Sequence, residues 1–111
     1  MERKARKVVL SALVYKDLAV IHKFGLENFG ENLASHFLKD VYQQISDLGL
    51  YFSIHPECRH LPTKTHIYRN IIFGNYLIIY RVKPEKIEVL RAIRGELKPS
   101  KIKSIKKIKP K

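Results

Sequence analysis

The fold is decided by residues 67–94, which read IYRNIIFGNYLIIYRVKPEKIEVLRAIR. Two turn signals divide this stretch into three runs rich in Ile, Tyr and Val. Gly74-Asn75 suits a two-residue hairpin because both residues tolerate the positive φ that such turns need. Pro84-Glu85 is typical of a second turn, since proline presets the φ of a turn's first corner. The stretch therefore predicts three antiparallel strands in a meander.

The two turns also predict the register. Closing them places Phe73 opposite Tyr76 and Arg81 opposite Glu88, and an opposed pair of opposite charges stabilises an aligned ladder. Alternation then predicts two faces. The apolar face would carry Ile67, Ile71, Phe73, Tyr76, Ile78, Tyr80, Val82, Ile87, Val89 and Ile93, and the mixed face Tyr68, Asn70, Ile72, Leu77, Ile79, Arg81, Glu88, Leu90, Ala92 and Arg94. We expect helices to cover the apolar face and function to reside on the mixed face.

The residues before the meander predict one strand and two helices. Lys7–Ser11 is a short apolar run that should join the sheet, and Ser11 can cap the next helix. Helical spacing of apolar residues covers Ala12–Phe24 and then Glu31–Leu48, with a break at Gly25–Gly30. The expected buried positions of the second helix are Leu33, Ala34, Phe37, Leu38, Val41, Ile45 and Leu48. The predicted fold is α+β: an N-terminal strand, an antiparallel two-helix hairpin, and a three-stranded antiparallel meander that forms one sheet with the first strand.

Positive charge is concentrated at the end of the chain. The 111 residues carry a net charge of +12, of which residues 98–111 supply seven lysines and no acid, leaving +5 for residues 1–97. We therefore divide the chain into a domain at 1–97 and a basic tail at 98–111. Ile102, Ile105 and Ile108 recur every third residue in the tail. This spacing predicts an apolar stripe on a basic helix, a segment that folds on a partner, or a solvated terminus.

Composition also bounds the partners and the compartment. Such a basic balance favours nucleic acid, an anionic membrane surface or an acidic protein segment. A single cysteine, Cys58, excludes a disulfide framework and fits a reducing compartment. No apolar run approaches the roughly 20 residues of a membrane-spanning helix, and we interpret Val8–Tyr15 as strand and helix rather than as a signal peptide. We expect a cytoplasmic protein with no membrane partner.

Four candidate metal ligands, His55, Cys58, His60 and His66, lie in the link before the meander. Zinc requires four such ligands in a tetrahedron, but this cluster lacks a second paired block. Neighbouring Arg59 and His60 are of the kind that lowers the pKa of a cysteine thiol, yet no recognisable triad accompanies Cys58. We interpret the link as a polar connection with one packed cysteine, and expect neither a metal nor a cofactor.

Metal-free RNA cleavage is the enzymatic alternative. It needs a base, an acid and cations against the developing phosphate charge, and Tyr68, Arg81 and Arg94 would be its residues. The expected pairing of Arg81 with Glu88 and the apolar rest of the mixed face favour partner binding instead. The residues predicted to bind a partner are Tyr68, Leu77, Arg81, Leu90, Arg94, Lys98, Lys101, Ile102, Ile105 and Lys106.

The order of elements and five ordered motifs resemble the ParE/RelE toxin superfamily of bacterial type II toxin–antitoxin systems. The motifs are Val8-Val9-Leu10-Ser11 leading into Asp17-Leu18, Phe29-Gly30-Glu31-Asn32, His55-Pro56-Glu57-x-Arg59, the YLIIYRV of residues 76–82, and the IEVLRAI of residues 87–93. The resemblance covers about residues 7–95.

The resemblance is closer to the ParE branch. RelE-like members cut ribosome-bound messenger RNA with an arginine directly after the tyrosine of the middle strand, and with basic or tyrosyl groups beyond the last strand. Here Leu77 follows Tyr76, and Glu96 and Leu97 follow Gly95. No catalytic residue carries over, so the resemblance implies a binding protein rather than an enzyme.

ParE-like members bind DNA gyrase and block replication. The resemblance therefore implies a gyrase inhibitor that inhibits growth and stabilises plasmids. It also implies a hetero-oligomer with a cognate antitoxin that wraps the helical hairpin and sheet. Contact with nucleic acid would be indirect. The alternatives are a ribosome-dependent messenger RNA endonuclease and a non-toxic antitoxin-binding member. The resemblance does not extend to the tail. We hypothesise that the tail is required for toxicity, because it concentrates seven lysines and three isoleucines.

Overall fold

The computed structural model describes residues 5–94 and 99–109, with the backbone alone for residues 99 and 100. The chain runs through β1 (Lys7–Leu10), α1 (Ala12–Phe29), α2 (Glu31–Ser46), α3 (Leu48–Tyr51), a 3-10 turn (Phe52–Ile54), β2 (Tyr68–Phe73), β3 (Tyr76–Val82), β4 (Lys86–Arg94), α4 (Pro99–Lys103) and a second 3-10 turn (Ser104–Lys107). The predicted α+β order of strand, helical hairpin and three-stranded meander is confirmed.

The four strands form one mixed sheet in the order β1-β4-β3-β2. The meander is antiparallel throughout, and β1 pairs with β4 in parallel. The predicted register is confirmed at both turns, since Phe73 pairs with Tyr76 and Arg81 pairs with Glu88. Gly74 adopts a φ of 61°, which is the left-handed conformation that its hairpin turn requires.

A β-bulge interrupts the pairing of β3 with β4. Ile79 pairs with Arg91, but the next residue, Tyr80, pairs with Val89, so that Leu90 is an extra residue on β4. An extra residue reverses the alternation of side chains for the rest of its strand. The predicted faces are therefore wrong beyond the bulge.

Three residues of β4 show this correction. Ala92 packs among the residues beneath the helices, whereas Ile93 packs on the opposite side of the sheet. Arg94 lies on the helix side, where its Cζ is 5.9 Å from the centre of the Phe24 ring. Ile67 also packs on the side opposite to the predicted one, because it precedes β2 and does not follow its alternation.

The helical hairpin is tighter than its sequence suggests. α1 continues through Gly25 to Phe29 instead of ending at Phe24, and the chain turns only at Gly30, whose φ is 85°. Gly25 serves helix packing, because a Cβ placed on it would lie only 3.1 Å from the Cβ of Ala34. The predicted break at Gly25 is thus wrong.

The end of α2 also differs from the prediction. α2 ends at Ser46 instead of Leu48, and Gly49 lies within α3. Gly49 accepts a hydrogen bond from the Arg6 amide at 2.9 Å, and a Cβ on it would lie 2.6 Å from the Arg6 carbonyl oxygen. The glycine is therefore required where the chain before β1 crosses α3. Leu33, predicted to be buried, is 62% exposed.

Two apolar clusters lie on the two faces of the sheet. The helix-side cluster contains Val14, Leu18, Ile21, Val41, Ile45, Leu48, Ile71, Ile78, Tyr80, Ile87, Val89 and Ala92. The tail cluster, on the other face, contains Cys58, Leu61, Tyr68, Ile79, Leu90, Ile93, Ile102 and Ile105.

The tail folds back on the mixed face of its own sheet. Ile102 and Ile105 are 0% and 1% exposed, and burial of an isoleucine side chain contributes about 1.5–3 kcal/mol. The mixed face is thus largely covered, although it was predicted to be accessible, because the isoleucine stripe finds an intramolecular partner. Lys98 and the boundary at 97/98 lie outside the described residues. None of the described helices is long and apolar enough to cross a membrane.

Candidate partner-binding site

The residues predicted to bind a partner separate into two places. One group meets at the contact between the sheet and the tail: Tyr68, Leu77, Arg81, Leu90, Ile102, Ile105 and Lys106. Arg94 lies on the helix side of the sheet, beside α1, and Lys101 is exposed on the tail. The contact with the tail is buried, so only the exposed members of the predicted set remain directly accessible to a partner.

Arg81 lies at the centre of the contact between sheet and tail. Its Nε donates to Oε1 of Glu88 at 2.7 Å, and one terminal nitrogen contacts the Tyr68 hydroxyl at 3.3 Å. The terminal nitrogens also donate to the carbonyl oxygens of Lys106 and Ile108, at 3.3 and 3.1 Å. The guanidinium of Arg81 on β3 therefore joins β2 and β4 to the last described turn of the tail.

The Arg81–Glu88 pair remains charged despite its burial, with 11% and 6% of the two side chains exposed. Burial alone would raise the pKa of Glu88, but the hydrogen bond and charge of Arg81, assisted by Lys86, outweigh it and lower that pKa. For Arg81, burial would lower the pKa, but its bonds to Tyr68 and Glu88 outweigh burial and raise it. Arg81 is thus a structural cation, committed to the carboxylate and the tail.

Tyr68 is enclosed by cations at the same contact. It is buried, and its ring lies 5.8 Å from Arg81 Cζ and 5.5 Å from Lys106 Nζ. Such cation–π contacts stabilise the docking of a lysine-rich segment. The RNA-cleavage alternative requires Tyr68, Arg81 and Arg94 to share a site, but Arg94 lies on the other side of the sheet.

The link before β2 uses its polar side chains locally. His66 Nδ1 lies 2.8 Å from Glu57 Oε2, and this hydrogen bond lowers the pKa of Glu57. Cys58 is fully buried, and desolvation raises its thiol pKa. The neighbouring Arg59 and His60 therefore do not produce the lowered pKa of a reactive cysteine. Burial and the charge of Arg69 lower the pKa of His55. Within residues 5–94 and 99–109 no group of three or more His, Cys, Asp or Glu is placed to hold a metal ion.

An apolar groove of about 460 Å³ lies at the turn of the helical hairpin. We call it the hairpin groove; it is lined mainly by Ile21, Phe24, Phe29, Leu33, Phe37 and Arg94. Phe29 and Leu33 are each 62% exposed. Contiguous exposed apolar side chains are typical of an interaction site. The arrangement can bind an apolar partner segment, and Arg94 lies at its edge.

A second hollow of about 490 Å³ continues the hairpin groove along β4, sharing Ile21, Phe24, Tyr76 and Arg94 with it. Asp17 forms its polar wall. Its carboxylate accepts two bonds from Arg91, at 2.7 and 2.9 Å, and one from the Ala92 amide at 2.9 Å. These bonds hold β4 against α1 directly after the bulge, and so they position Arg94.

The sequence does not predict the hairpin groove. Helical spacing places Leu33 in the core and Phe29 in the break between the helices, and strand alternation places Arg94 on the other face of the sheet. One feature of the sequence does point to the groove: the number of apolar residues around the helix–helix connection is larger than one helix face can bury. These residues are Phe24, Leu26, Phe29 and Leu33. Their grouping with Arg94 depends on the bulge, which has no comparable local signature.

Comparisons with known proteins agree with this fold. The family model described as "ParE toxin of type II toxin-antitoxin system, parDE" matches residues 8–97. A solved structure titled "Chromosomal ParDE TA system from P. aeruginosa" aligns with a TM-score of 0.67 and 19% identity, covering 83% of this chain and 98% of that chain. A search of curated proteins found no match. Residues 98–111 lie beyond the family match. The chain belongs to the ParE toxin family of type II toxin–antitoxin systems.

Proposed function

We propose that this protein is a cytoplasmic ParE toxin that inhibits DNA gyrase by binding to it and is neutralised by a cognate antitoxin. Family membership supports the toxin assignment. The observation that favours a binding function over catalysis is that the three candidate RNA-cleaving residues do not share a site. Arg81 is committed to Glu88 and the tail, Tyr68 is buried beneath the tail, and Arg94 lies across the sheet.

The antitoxin binds in the hairpin groove through an amphipathic segment. The exposed side chains of Phe24, Phe29 and Leu33 line an apolar groove. Such a groove commonly binds the apolar face of an amphipathic helix. Arg94 favours an acidic residue of the antitoxin beside the ring of Phe24. The net charge of +12 favours an acidic partner in general, increasing the association rate more than the affinity.

Gyrase binding uses the surface that remains accessible when the antitoxin is absent. The exposed members of the predicted set, Arg94, Lys101 and Lys106, are candidates for this contact. Their positive charge suits an enzyme that holds DNA, because cationic side chains near the phosphate backbone increase affinity in a salt-dependent way.

Expression from a tightly repressed promoter tests the proposal. Plasmid topology and the 5′ ends of messenger RNA are followed in the same culture, with and without the cognate antitoxin. We expect altered supercoiling or DNA breaks, intact transcripts, and reversal by the antitoxin. Transcripts cut within translated codons, with normal topology, would instead establish the endonuclease alternative. Normal growth with neither change would contradict toxicity and leave the non-toxic antitoxin-binding member as the alternative.

A further inference from the structure

We propose that the docked tail is a binding surface for the phosphate backbone of nucleic acid. This inference goes beyond the proposed function and does not depend on it, because it requires neither gyrase nor an antitoxin. It rests on three observations, namely how the tail is anchored, which side chains the anchoring leaves outside, and which partners the burial of its isoleucines excludes.

The tail is anchored by both apolar and polar contacts. Ile102 and Ile105 are buried in the tail cluster, and the Arg81 guanidinium donates to the carbonyl oxygens of Lys106 and Ile108. Seven lysines without an acid repel one another and would otherwise favour an extended, disordered segment. The anchoring therefore holds closely spaced positive charges on a defined backbone.

The anchoring orients the lysines outward. Lys101, Lys103, Lys106, Lys107 and Lys109 are all exposed, and we call them the lysine ridge. Lys106 is the one of the five that also contacts the Tyr68 ring. Residues three apart along α4 and the following 3-10 turn are separated by roughly 4.5–6 Å along the axis. Covering the sheet requires only that the tail bury its isoleucines. It does not explain why nearly every exposed position of the tail is a lysine. Successive phosphates, by contrast, are recognised by such a row of cations.

The burial of the isoleucines argues against the other polyanionic partners. An amphipathic helix binds a membrane by inserting its apolar side chains, but those of the tail are already packed on the sheet. A protein that used the tail as the centre of its interface would need a desolvated apolar surface there, and none of the isoleucines in the described tail is exposed; tail lysines at the rim of an interface, as proposed for gyrase, do not need one. A phosphate backbone needs only the cations.

Binding of labelled nucleic acid to the purified full chain tests the ridge. A short duplex DNA and an RNA strand of equal length are titrated over a series of salt concentrations. The ridge variant is Lys101→Gln with Lys103→Gln and Lys107→Gln. Its matched control is Lys16→Gln with Lys23→Gln and Lys39→Gln, which removes the same charge from exposed positions of α1 and α2.

We expect the ridge variant to lose at least about tenfold in affinity, and its slope of log K against log salt to become shallower by roughly 2–3. The control should stay close to the unmodified chain. An equal loss in both variants would mean that net charge alone is responsible and would overturn the proposal. Preference for duplex DNA over RNA, or the reverse, identifies the source of the phosphate backbone.

A second variant tests the role of docking. Ile102→Ser with Ile105→Ser keeps every lysine but releases the tail, so we expect weaker binding because the segment must be ordered again on the nucleic acid. Unchanged affinity in a folded variant would overturn the docked ridge. If this variant does not fold, the comparison of the lysine variants decides alone. Tighter, lysine-dependent binding to phosphatidylserine vesicles or to polyglutamate than to nucleic acid would also overturn the proposal.

Discussion

Arg81 and Glu88 form a buried ion pair across β3 and β4, with Arg81 Nε 2.7 Å from Glu88 Oε1. The same guanidinium donates to the backbone of the tail at Lys106 and Ile108. The sequence predicts this pair only from the register of the two strands. In the folded chain it also couples the sheet to the tail. Its removal should have both a local and a distant effect.

Replacement of Arg81 by Met should destabilise the fold and release the tail. The change leaves the buried Glu88 carboxylate without its main partner, at a cost of about 3–5 kcal/mol in the free energy of unfolding. Urea unfolding measures this loss, and hydrogen exchange of residues 102–108 measures the release. Arg59→Met, at an exposed position of the link, is the control and should change stability by less than about 0.5 kcal/mol. Protected tail amides in Arg81→Met would contradict the coupling.

Stability should fall in acid because the folded pKa of Glu88 is lowered. Burial opposes ionisation, but Arg81 and Lys86 outweigh it. A carboxyl whose pKa is lower in the folded state contributes stability that is fully present above its unfolded pKa of about 4.3, and this contribution is lost as the pH falls through the folded value. The difference in unfolding free energy between the unmodified chain and Glu88→Gln should shrink over that range. A difference that stays constant with pH would refute this assignment.

Cys58 should report on tail docking. It is buried in the tail cluster, and desolvation raises its thiol pKa, so a thiol reagent should modify it slowly in the native state. Ile102→Ser weakens the cluster in which Cys58 is buried and should increase the modification rate at least about tenfold. Ile72→Ser, at an exposed position of β2, should leave the rate unchanged. Fast modification of the unmodified chain would show that the tail does not protect Cys58.

Asp17 should be essential for the geometry of β4 after the bulge. Asp17→Ala leaves the Arg91 guanidinium and the Ala92 amide without their shared acceptor. The expected loss is about 2–4 kcal/mol in the free energy of unfolding. Asp40→Ala, at an exposed position of α2, serves as the matched control in thermal or urea unfolding. Equal stability of the two variants would mean that the bulge holds its shape without Asp17.

The hairpin groove should determine antitoxin affinity without determining stability. Phe29→Glu and Leu33→Glu place a charge on side chains that are 62% exposed, so folding should change little. Each should weaken antitoxin binding at least about tenfold, since apolar anchors dominate such interfaces. Calorimetry measures the affinity. Ile54→Glu, at an exposed apolar position away from the groove, should bind normally, and a similar loss in this variant would argue against the groove as the binding site.

The candidate site was only partly predictable from the sequence. Tyr68 and Arg81 were correctly grouped on one face, because they follow the alternation of strands whose register was predicted. Their burial was not predicted, since it depends on a tail whose isoleucine spacing was compatible with several outcomes. Regular alternation predicts the wrong face for Arg94, because a bulge leaves no local signal of the kind that Gly74-Asn75 provides.

The order of elements, both turns of the meander, the opposition of Arg81 and Glu88, and the family could all be predicted from the amino-acid sequence. These features depend on local turn chemistry and on periodicity, which act between residues close in the chain. Three features became visible only in the folded chain: the bulge at Leu90, the close approach of Gly25 to Ala34 and the docking of the tail. The bulge and the docked tail depend on contacts between residues distant in sequence, such as Asp17 with Ala92, 75 residues apart, and the approach of Gly25 to Ala34 depends on how two helices pack. In each case space and hydrogen bonding select one outcome among several that the local pattern allows.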